Sequence, residues 1–513
     1  MSRNANPIQF AEWAPDKSTL SGYGRDAKGC ISQSGRYAPL NDLTAYKAGA
    51  SISGTCIGAR GFWSSAGNVH IFIGDEFDLY KMASRQPAIV SKAGGYTPSI
   101  PDGWQFEQFG DHVVAVNAAV TTPQVYQMGT SSLFADLAGS PPVSTAVFRV
   151  GNQLCLANGR TLSVSGFNNI ELWDYATATQ GVQVDVDQRG GNIQTGVGGE
   201  VGLIFQERGI VRMTYVGPPT VFSLETIEWK HGAISREAVS QYGRNTFFVS
   251  ETGMFVTDGM SVQPIGDGKV DKYFSDNLNY SARNKVTTAI DFARKLWIVA
   301  FPTAGNVTAD HLLIYSMADN RWTHDEITTQ MLFEMPREGI TIDDTAAIIA
   351  LEGTDVSDDI PTSVDDPQWR ETRVQVAAVD GTGSVATFEG STRAATMATT
   401  EFEPVKLKQT LVDELWPEID IISTNVTAFV NIRRRNLNNL MWNGQFLTWD
   451  GDNILWNTGA QGTITTTSEM NEHGFIPVRL SARYMEMGIT VAAGTSWTEA
   501  TGIQWRGSAG GER

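Results

Sequence analysis

A strand-pair unit recurs from about residue 54 to about residue 330, and it constrains the fold more than any other feature of the chain. Each copy reads as an apolar strand, a Gly-polar turn and a second strand, as in GFWSSAGNVHIFIG and AVFRVGNQLCLANG. The central turns fall at Gly67, Gly110, Gly151, Gly199, Gly243 and Arg294. Their spacing of roughly 41 to 51 residues is typical of β-propeller blades. One such unit cannot bury both of its faces, so several must pack around a common axis.

The pattern therefore predicts an all-β protein with three parts. Residues 1–50 are rich in Gly, Pro, Asp and Ser and predict an irregular N-terminal arm that packs on the body. Residues 51–395 predict a β-propeller of about seven blades, within which KVDKYFSDNLN after Gly268 is the best candidate for a short helix. Residues 396–513 leave the repeat, and strands such as VTAFVNIRRR and ATGIQWRG predict an antiparallel, sandwich-like module.

Charge and cysteine content narrow the function classes. The formal net charge of −18 argues against gripping nucleic acid by neutralising phosphates. This negative charge suits either simple solubility or a wall that repels a DNA backbone.

The three cysteines, Cys30, Cys56 and Cys155, are scattered and odd in number, which predicts buried thiols and assembly in a reducing compartment. We expect Cys155, between two leucines, to be a small core residue.

The N-terminus, MSRNANPIQFAEWAPDKS, lacks the apolar core of a signal peptide. No apolar run reaches transmembrane length. The sequence thus predicts a protein without a membrane-spanning segment, and the missing signal argues against a secreted glycan-binding propeller.

Motifs of catalysis are absent from the sequence. The six histidines are isolated, and there is no HExxH, no GxSxG elbow, no Walker loop and no sialidase-type S-x-D-x-G-x-x-W repeat. The acidic stretch at Glu352 to Gln368 carries two Asp pairs but lacks the glycine and final Glu of a calcium loop, so it predicts an exposed loop. We expect no catalytic, cofactor-binding or metal site.

Two clusters in the last module are candidate contact sites. Within the insert at about residues 436–460, Trp442, Trp449 and Trp456 recur every seven residues among Asn-Gly and Asp-Gly turns, which predicts hairpins with tryptophan on one face. Such a rim suits a protein interface or a sugar. Arg433, Arg434 and Arg435 form the densest basic cluster, and either contact DNA or a partner subunit or end a strand in solvent.

Several segments resemble the tail nozzle proteins of short-tailed bacteriophages, also called tail tubular or packaged-DNA stabilisation proteins. The resemblance lies in EWAPDKSTLSGYG, in SGRYAPLND, in DGWQFEQFGDHVVAVN and, above all, in RVGNQLCLANGRTLSVSGFNNIELWDY at Arg149 to Tyr175. The closing SARYMEMGITV and ATGIQWRG are similar to the family's last strands. The motifs are structural, and none is catalytic.

The resemblance implies a structural virion protein in the phage tail, made in the host cytoplasm. Such proteins form a homohexameric ring below the adaptor, or head-to-tail connector, at the portal vertex. They extend the channel for genome ejection, help to retain packaged double-stranded DNA without reading its sequence, and offer attachment surfaces to tail fibres or spikes. The family supplies no catalytic or ligand residue to carry over.

Two other hypotheses stay open. The Trp-rich insert and the abundant Asp fit a carbohydrate-binding or polysaccharide-degrading propeller that acts at the host surface. A weaker alternative is an intracellular scaffold propeller, which predicts a cellular partner and no ring formation with phage adaptor proteins.

Overall fold

The computed structural model describes residues 6–19, 21–47, 49–83, 85–96, 103–337, 374–406, 408–422, 424–433 and 463–509. These residues form 39 strands, one α-helix and two 3-10 turns. The expected all-β class is confirmed, and so are the two kinds of β architecture, a propeller and a sandwich.

Seven four-stranded blades make the propeller, and each antiparallel blade runs outward from an innermost strand. The first four blades are β6–β9 (Gly58–Trp63, Val69–Gly74, Leu79–Ala83, Gln86–Ile89), β10–β13 (Gln105–Phe109, His112–Val116, Gln124–Gln127, Ala135–Asp136), β14–β17 (Ala146–Val150, Gln153–Asn158, Thr161–Val164, Val182–Asp185) and β18–β21 (Ile193–Val197, Val201–Gln206, Ile210–Gly217, Val221–Glu228).

The remaining blades complete the ring. Blade five contains β22–β25 (Val239–Tyr242, Asn245–Ser250, Gly253–Thr257, Val262–Pro264), and blade six contains β26–β29 (Thr287–Asp291, Leu296–Phe301, His311–Ser316, Arg321–Asp325). Blade seven contains β30–β32 (Thr329–Pro336, Val374–Asp380, Val385–Thr387) and takes its outer strand, β5 (Thr44–Ala45), from the N-terminal region. The expectation of about seven blades is met.

The repeated glycine turns lie where the sequence predicts them, between the first and second strands of their blades. Gly110 and Gly151 adopt φ of +60° and +55°, a conformation that glycine enters without the Cβ penalty. The second strands are buried on both faces: in HVVAV, QLCLAN and LWIVAF nearly every residue is inaccessible. Packing of one blade on the next therefore supplies the propeller core.

The predicted short helix is confirmed as α1 (Asp271–Asn277). It packs through Phe274 against Phe301 of blade six, with ring centroids 5.1 Å apart. The N-terminal region caps it: the Asp16 carboxylate accepts hydrogen bonds from the backbone N–H groups of Lys272 and Tyr273, each at 2.8 Å. A carboxylate at this end also complements the helix dipole.

The sandwich module consists of two sheets. One has the order β3–β4–β39–β34–β37, with β1 also on β39, and the other continues from blade six as β29–β2–β33–β38–β35–β36. The strands are β1 (Asn6–Gln9), β2 (Asp26–Lys28), β3 (Cys30–Gln33), β4 (Arg36–Pro39), β33 (Ala395–Ala398), β34 (Thr410–Ile421), β35 (Val426–Arg433), β36 (Thr463–Glu469), β37 (Ile476–Ala482), β38 (Met485–Val491) and β39 (Trp497–Ala509).

Alternation along these strands directs every second side chain into the sandwich core. In β35, Val426, Ala428 and Val430 are fully buried while their neighbours are partly exposed. They belong to one cluster with Leu415 of β34 and Trp505 of β39. Period-2 burial of this kind is what a two-sheet sandwich requires.

Blade six and the sandwich share one nine-stranded sheet. The connection is β2, which pairs in parallel with β29 through Lys28 and His324 and antiparallel with β33. The same hydrophobic cluster includes Trp297 and Trp322 of blade six and the core of the sandwich. The two architectures are therefore joined by backbone hydrogen bonds and by a common core; we call this junction the seam.

The N-terminal region differs from the expected irregular arm. Its described residues form five short strands that enter the sandwich, extend blade six and close blade seven. The expectation failed because each strand has only two to four residues, too few to show alternation. The aromatic side chains of Phe10, Trp13 and Tyr37 in this region are buried, so the expectation that it packs on the body is met.

Candidate functional site

The axial channel of the propeller is a concave polar site. The innermost strands β6, β10, β14, β18, β22, β26 and β30 surround it, and β30 packs against β6 to complete the circle. A cavity of about 310 Å³ lies inside, and its ionisable lining consists of Arg60, Glu107, Arg149, Arg236, Glu237 and Glu334. Three cations and three anions thus face a common space.

Arg60 of blade one is the centre of this charge cluster. Its Nη1 lies 3.4 Å from Glu107 Oε2 and donates to the carbonyl oxygen of Phe106 at 3.2 Å. Half of the Arg60 side chain remains exposed to the channel. Enclosure lowers the pKa of the guanidinium, but the carboxylates of Glu107, Glu334 and Glu237 outweigh that effect and the pKa lies above its ordinary value.

The three channel glutamates have raised pKa values, in each case because enclosure by protein disfavours the charged carboxylate. Arg60 opposes the rise at all three. Glu237 is further stabilised by a hydrogen bond from the Gln105 side chain, and Glu334 accepts a 3.3 Å hydrogen bond from the backbone N–H of Ile290. The channel therefore contains charges from different blades that compensate one another.

The cysteines are not nucleophiles in this structure. Cys30, Cys56 and Cys155 are all free thiols and all buried. Burial raises the pKa of each, that of Cys56 to about 12, so the reactive thiolate is scarce at neutral pH. The sequence-based expectation that Cys155 is a small core residue is confirmed.

A second polar cluster lies at the seam. His324 Nε2 is 2.7 Å from Asp26 Oδ1, and the indole of Trp13 stacks on the His324 ring with centroids 4.3 Å apart. Nearby, His311 Nε2 is 3.2 Å from the Tyr273 hydroxyl. Arg393, which contacts the buried Asp325 and bonds Asp42 at 2.7 Å, ties the same region together. These contacts join the N-terminal region to blade six.

No group of three or more His, Cys, Asp or Glu side chains suited to a metal ion occurs within the described ranges. In the same residues, no helix is both long enough and apolar enough to cross a membrane.

The sequence-predicted contact residues lie at or beyond the limits of the described residues. Arg433 is the last residue of β35 and pairs through its backbone with Thr463; its side chain, together with Arg434 and Arg435, is outside the description. The same holds for Trp442, Trp449 and Trp456 and for the acidic stretch at 352–368. Their proposed roles stay predictions.

The channel residues were missed from the sequence. Apart from the adjacent Arg236 and Glu237, they are 40 or more residues apart, and no local motif joins Arg60, Glu107 and Arg149. A signal exists nonetheless: each is a charged residue inside the apolar first strand of a repeat, GARGFW, QFEQF and AVFRV. First strands line the axis of a propeller, so charges at these positions converge on it.

The chain has weak matches among solved structures. No family model matches the chain, and no curated protein matches it in sequence. Among solved structures it is similar to extracellular domains described as parts of a one-component and of a hybrid two-component system of B. thetaiotaomicron, with 9% and 10% identity, TM-scores of 0.40 and 0.38, and 75% and 76% of this chain covered. A streptogramin B lyase matches at 11% identity and TM-score 0.38, covering 57% of this chain and 91% of the lyase. The chain spans 44% of the length of the two extracellular domains.

Proposed function

We propose that the chain is a structural subunit of a bacteriophage tail, the nozzle that extends the DNA-ejection channel below the adaptor ring. The observation that carries the proposal is the nine-stranded sheet that runs from blade six into the sandwich. Two domains that share a hydrogen-bonded sheet and a hydrophobic core resist hinging at their junction. Such a body suits a wall that must hold its shape while packaged DNA presses on it.

The chemistry of the axial channel supports the same proposal. Each channel carboxylate faces an arginine, and the described part of the chain brings no activated nucleophile or metal-binding cluster beside them. The axial channel of a single propeller is occupied by these paired side chains, so it leaves no path for a DNA duplex. In the proposed assembly, DNA therefore passes through the centre of a six-fold ring of subunits, past surfaces whose acidic character limits sticking.

Exposed apolar side chains supply candidate subunit or fibre contacts. Phe167 and Tyr215 are 48% and 43% exposed. Phe167 lies in a loop of blade three and Tyr215 near the end of β20 in blade four. Both contact one segment, because the Phe167 N–H donates to the Thr179 carbonyl and the Tyr215 hydroxyl donates to Gln180 Oε1. Exposed aromatic groups of this kind are enriched at interfaces.

The test is electron cryomicroscopy of the particles made by the genome that encodes the chain. We expect six copies around an axial channel wide enough for duplex DNA, between the adaptor and the fibres. A matched test in solution mixes the purified chain with the adaptor ring and measures the mass of the complex. Particles that lack the chain, or that carry it away from the axis, would refute the proposal.

A second candidate function is binding or cleavage of a host-surface polysaccharide. The observation that favours it is the set of enclosed glutamates whose pKa values are raised by burial, since glycoside hydrolysis uses a carboxyl group with a raised pKa as its general acid. A glycan array and a reducing-end assay test it. Specific binding lost in Trp449→Ala, or turnover lost in Glu237→Gln, would favour this function over the nozzle.

A further inference from the structure

A basic pocket opens at one end of the axial channel, where the chain enters the innermost strands. It has a volume of about 200 Å³, and its cationic lining comprises Arg236, Arg283 and Lys285. The amides of Gln194, Asn284 and Gln330 contribute to the same wall, and Glu237 is its single carboxylate. Local charge is thus positive within a chain whose formal net charge is −18.

Hydrogen bonds connect the segments that carry the cations. Arg283 and Lys285 belong to the 3-10 turn Tyr280–Lys285, which leads directly into the first strand of blade six. The next residue, Val286, is fully buried, and its carbonyl oxygen accepts a hydrogen bond from the Ser235 hydroxyl at 2.5 Å. This bond ties the turn to residues 234–237, which carry Arg236. The pocket is therefore preorganised by two blades.

Lys285 lacks a counterion within hydrogen-bond distance among the described residues. Burial lowers the pKa of its ammonium, and the more distant Cys56 and Glu76 only partly oppose the effect. Lys285 is half-buried, and a cation withdrawn from water in this way is stabilised when an anion pairs with it. Arg283 likewise forms no ion pair with a described residue and lies at the exposed side of the pocket.

Glu237 does not neutralise the pocket. Its carboxylate is attracted first by Arg60, on the channel side, then accepts a hydrogen bond from Gln105, and interacts with Arg236 as well. One negative charge is thus shared between the channel and the pocket. Two cations, Lys285 and Arg283, remain available to a ligand.

We propose that this pocket binds a small molecule through an oxyanion, a carboxylate or a phosphate. Lys285 supplies a point charge at the base, Arg283 supplies a planar guanidinium at the rim, and the amides of Asn284 and Gln194 donate hydrogen bonds. The volume lies below the usual range for drug-sized ligands, which selects a compact anion rather than a polymer. The site is independent of the nozzle proposal, and either can fail alone.

Calorimetric titration of the full chain in chloride buffer tests the site, with sodium phosphate in one arm and sodium succinate in the other. We expect saturable binding of at least one of the two probes. Lys285→Met and Arg283→Gln should each weaken it by about tenfold or more, the loss typical of one charged contact. Lys230→Met, which removes an exposed lysine outside the pocket lining, should change nothing.

The outcomes separate the ligand classes. Phosphate alone, succinate alone, or competition between them would each support the site and name its preference. Raising the pH through the lowered pKa of Lys285 should weaken binding, because the neutral amine no longer attracts an anion. Absence of saturable binding by both probes, or equal weakening in Lys230→Met and the two pocket variants, would overturn the proposal; melting curves confirm that the variants are folded.

Discussion

Blades one to five and blades six and seven use the same four-stranded unit but complete it differently. Each of the first five is built from one continuous stretch of chain, whereas blade six is extended by β2 and blade seven is closed by β5. Both added strands come from residues 26–45. The unit alone therefore determines a blade, and a distant segment determines where the ring closes and where the second module attaches.

The contrast predicts that damage at the seam is more costly than equivalent damage within a self-contained blade. Trp322 at the seam is fully buried, and its indole N–H donates to the Ile265 carbonyl at 3.1 Å. Trp173 in blade three is 8% exposed, and its indole nitrogen has no hydrogen-bond partner among the described residues. We expect Trp322→Ala to cost about 5 kcal/mol of unfolding free energy and Trp173→Ala about 3 kcal/mol. Chemical denaturation measures both, and equal losses would break the comparison.

Removing an ion pair should likewise cost more stability at the seam than at an exposed site. Arg393→Met leaves Asp325, whose side chain is 1% exposed, buried without its cation, and we expect a loss of about 3 kcal/mol. The control is Arg36→Met, which removes an exposed pair with Glu499 and should leave the melting temperature unchanged. A large shift in the control, or none in Arg393→Met, would show that the seam is not the more sensitive place.

A third comparison concerns the room for a Cβ atom at two glycines of the N-terminal region, Gly29 and Gly35. A Cβ on Gly29 would lie 2.0 Å from the Ala394 carbonyl oxygen, where β2 meets the sandwich, whereas a Cβ on Gly35 meets nothing within 4 Å. Both glycines have positive φ, so both alanine variants carry a strain of about 1 kcal/mol. The clash should add about 2 kcal/mol to Gly29→Ala, and thermal melts of the pair isolate that difference.

The smallest expected effect is a pH dependence in the channel. Arg60→Met removes the cation that opposes the raised pKa values of Glu107, Glu237 and Glu334, so these values should rise further. A carboxyl whose folded pKa is raised stabilises the fold below its unfolded pKa and loses that contribution as the pH rises through the folded pKa. The variant should therefore weaken, relative to the parent, as the pH increases. A parallel pH profile would show that Arg60 does not hold the cluster.

Local patterns predicted the blades because a blade is a local object. Its glycine turns, buried second strands and the helix after Gly268 each depend on neighbours within a few dozen residues. The added strands are different: Thr44 pairs with Thr387 and Lys28 with His324, and such short segments acquire their identity from distant partners. The channel charges were not predicted from the sequence for the same reason, since only closure of the ring brings Arg60 beside Glu334.

The closing strand β5 has a consequence for synthesis. Ala45 leaves the ribosome 342 residues before Thr387, counted as 387 minus 45, and at roughly 5–20 residues per second that interval is about 20 to 70 seconds. During that interval the chain of the blades is made while the ring is open and β5 still lacks its partner β32. The ring can therefore close only late in synthesis, when β5, from the part of the chain made first, pairs with β32.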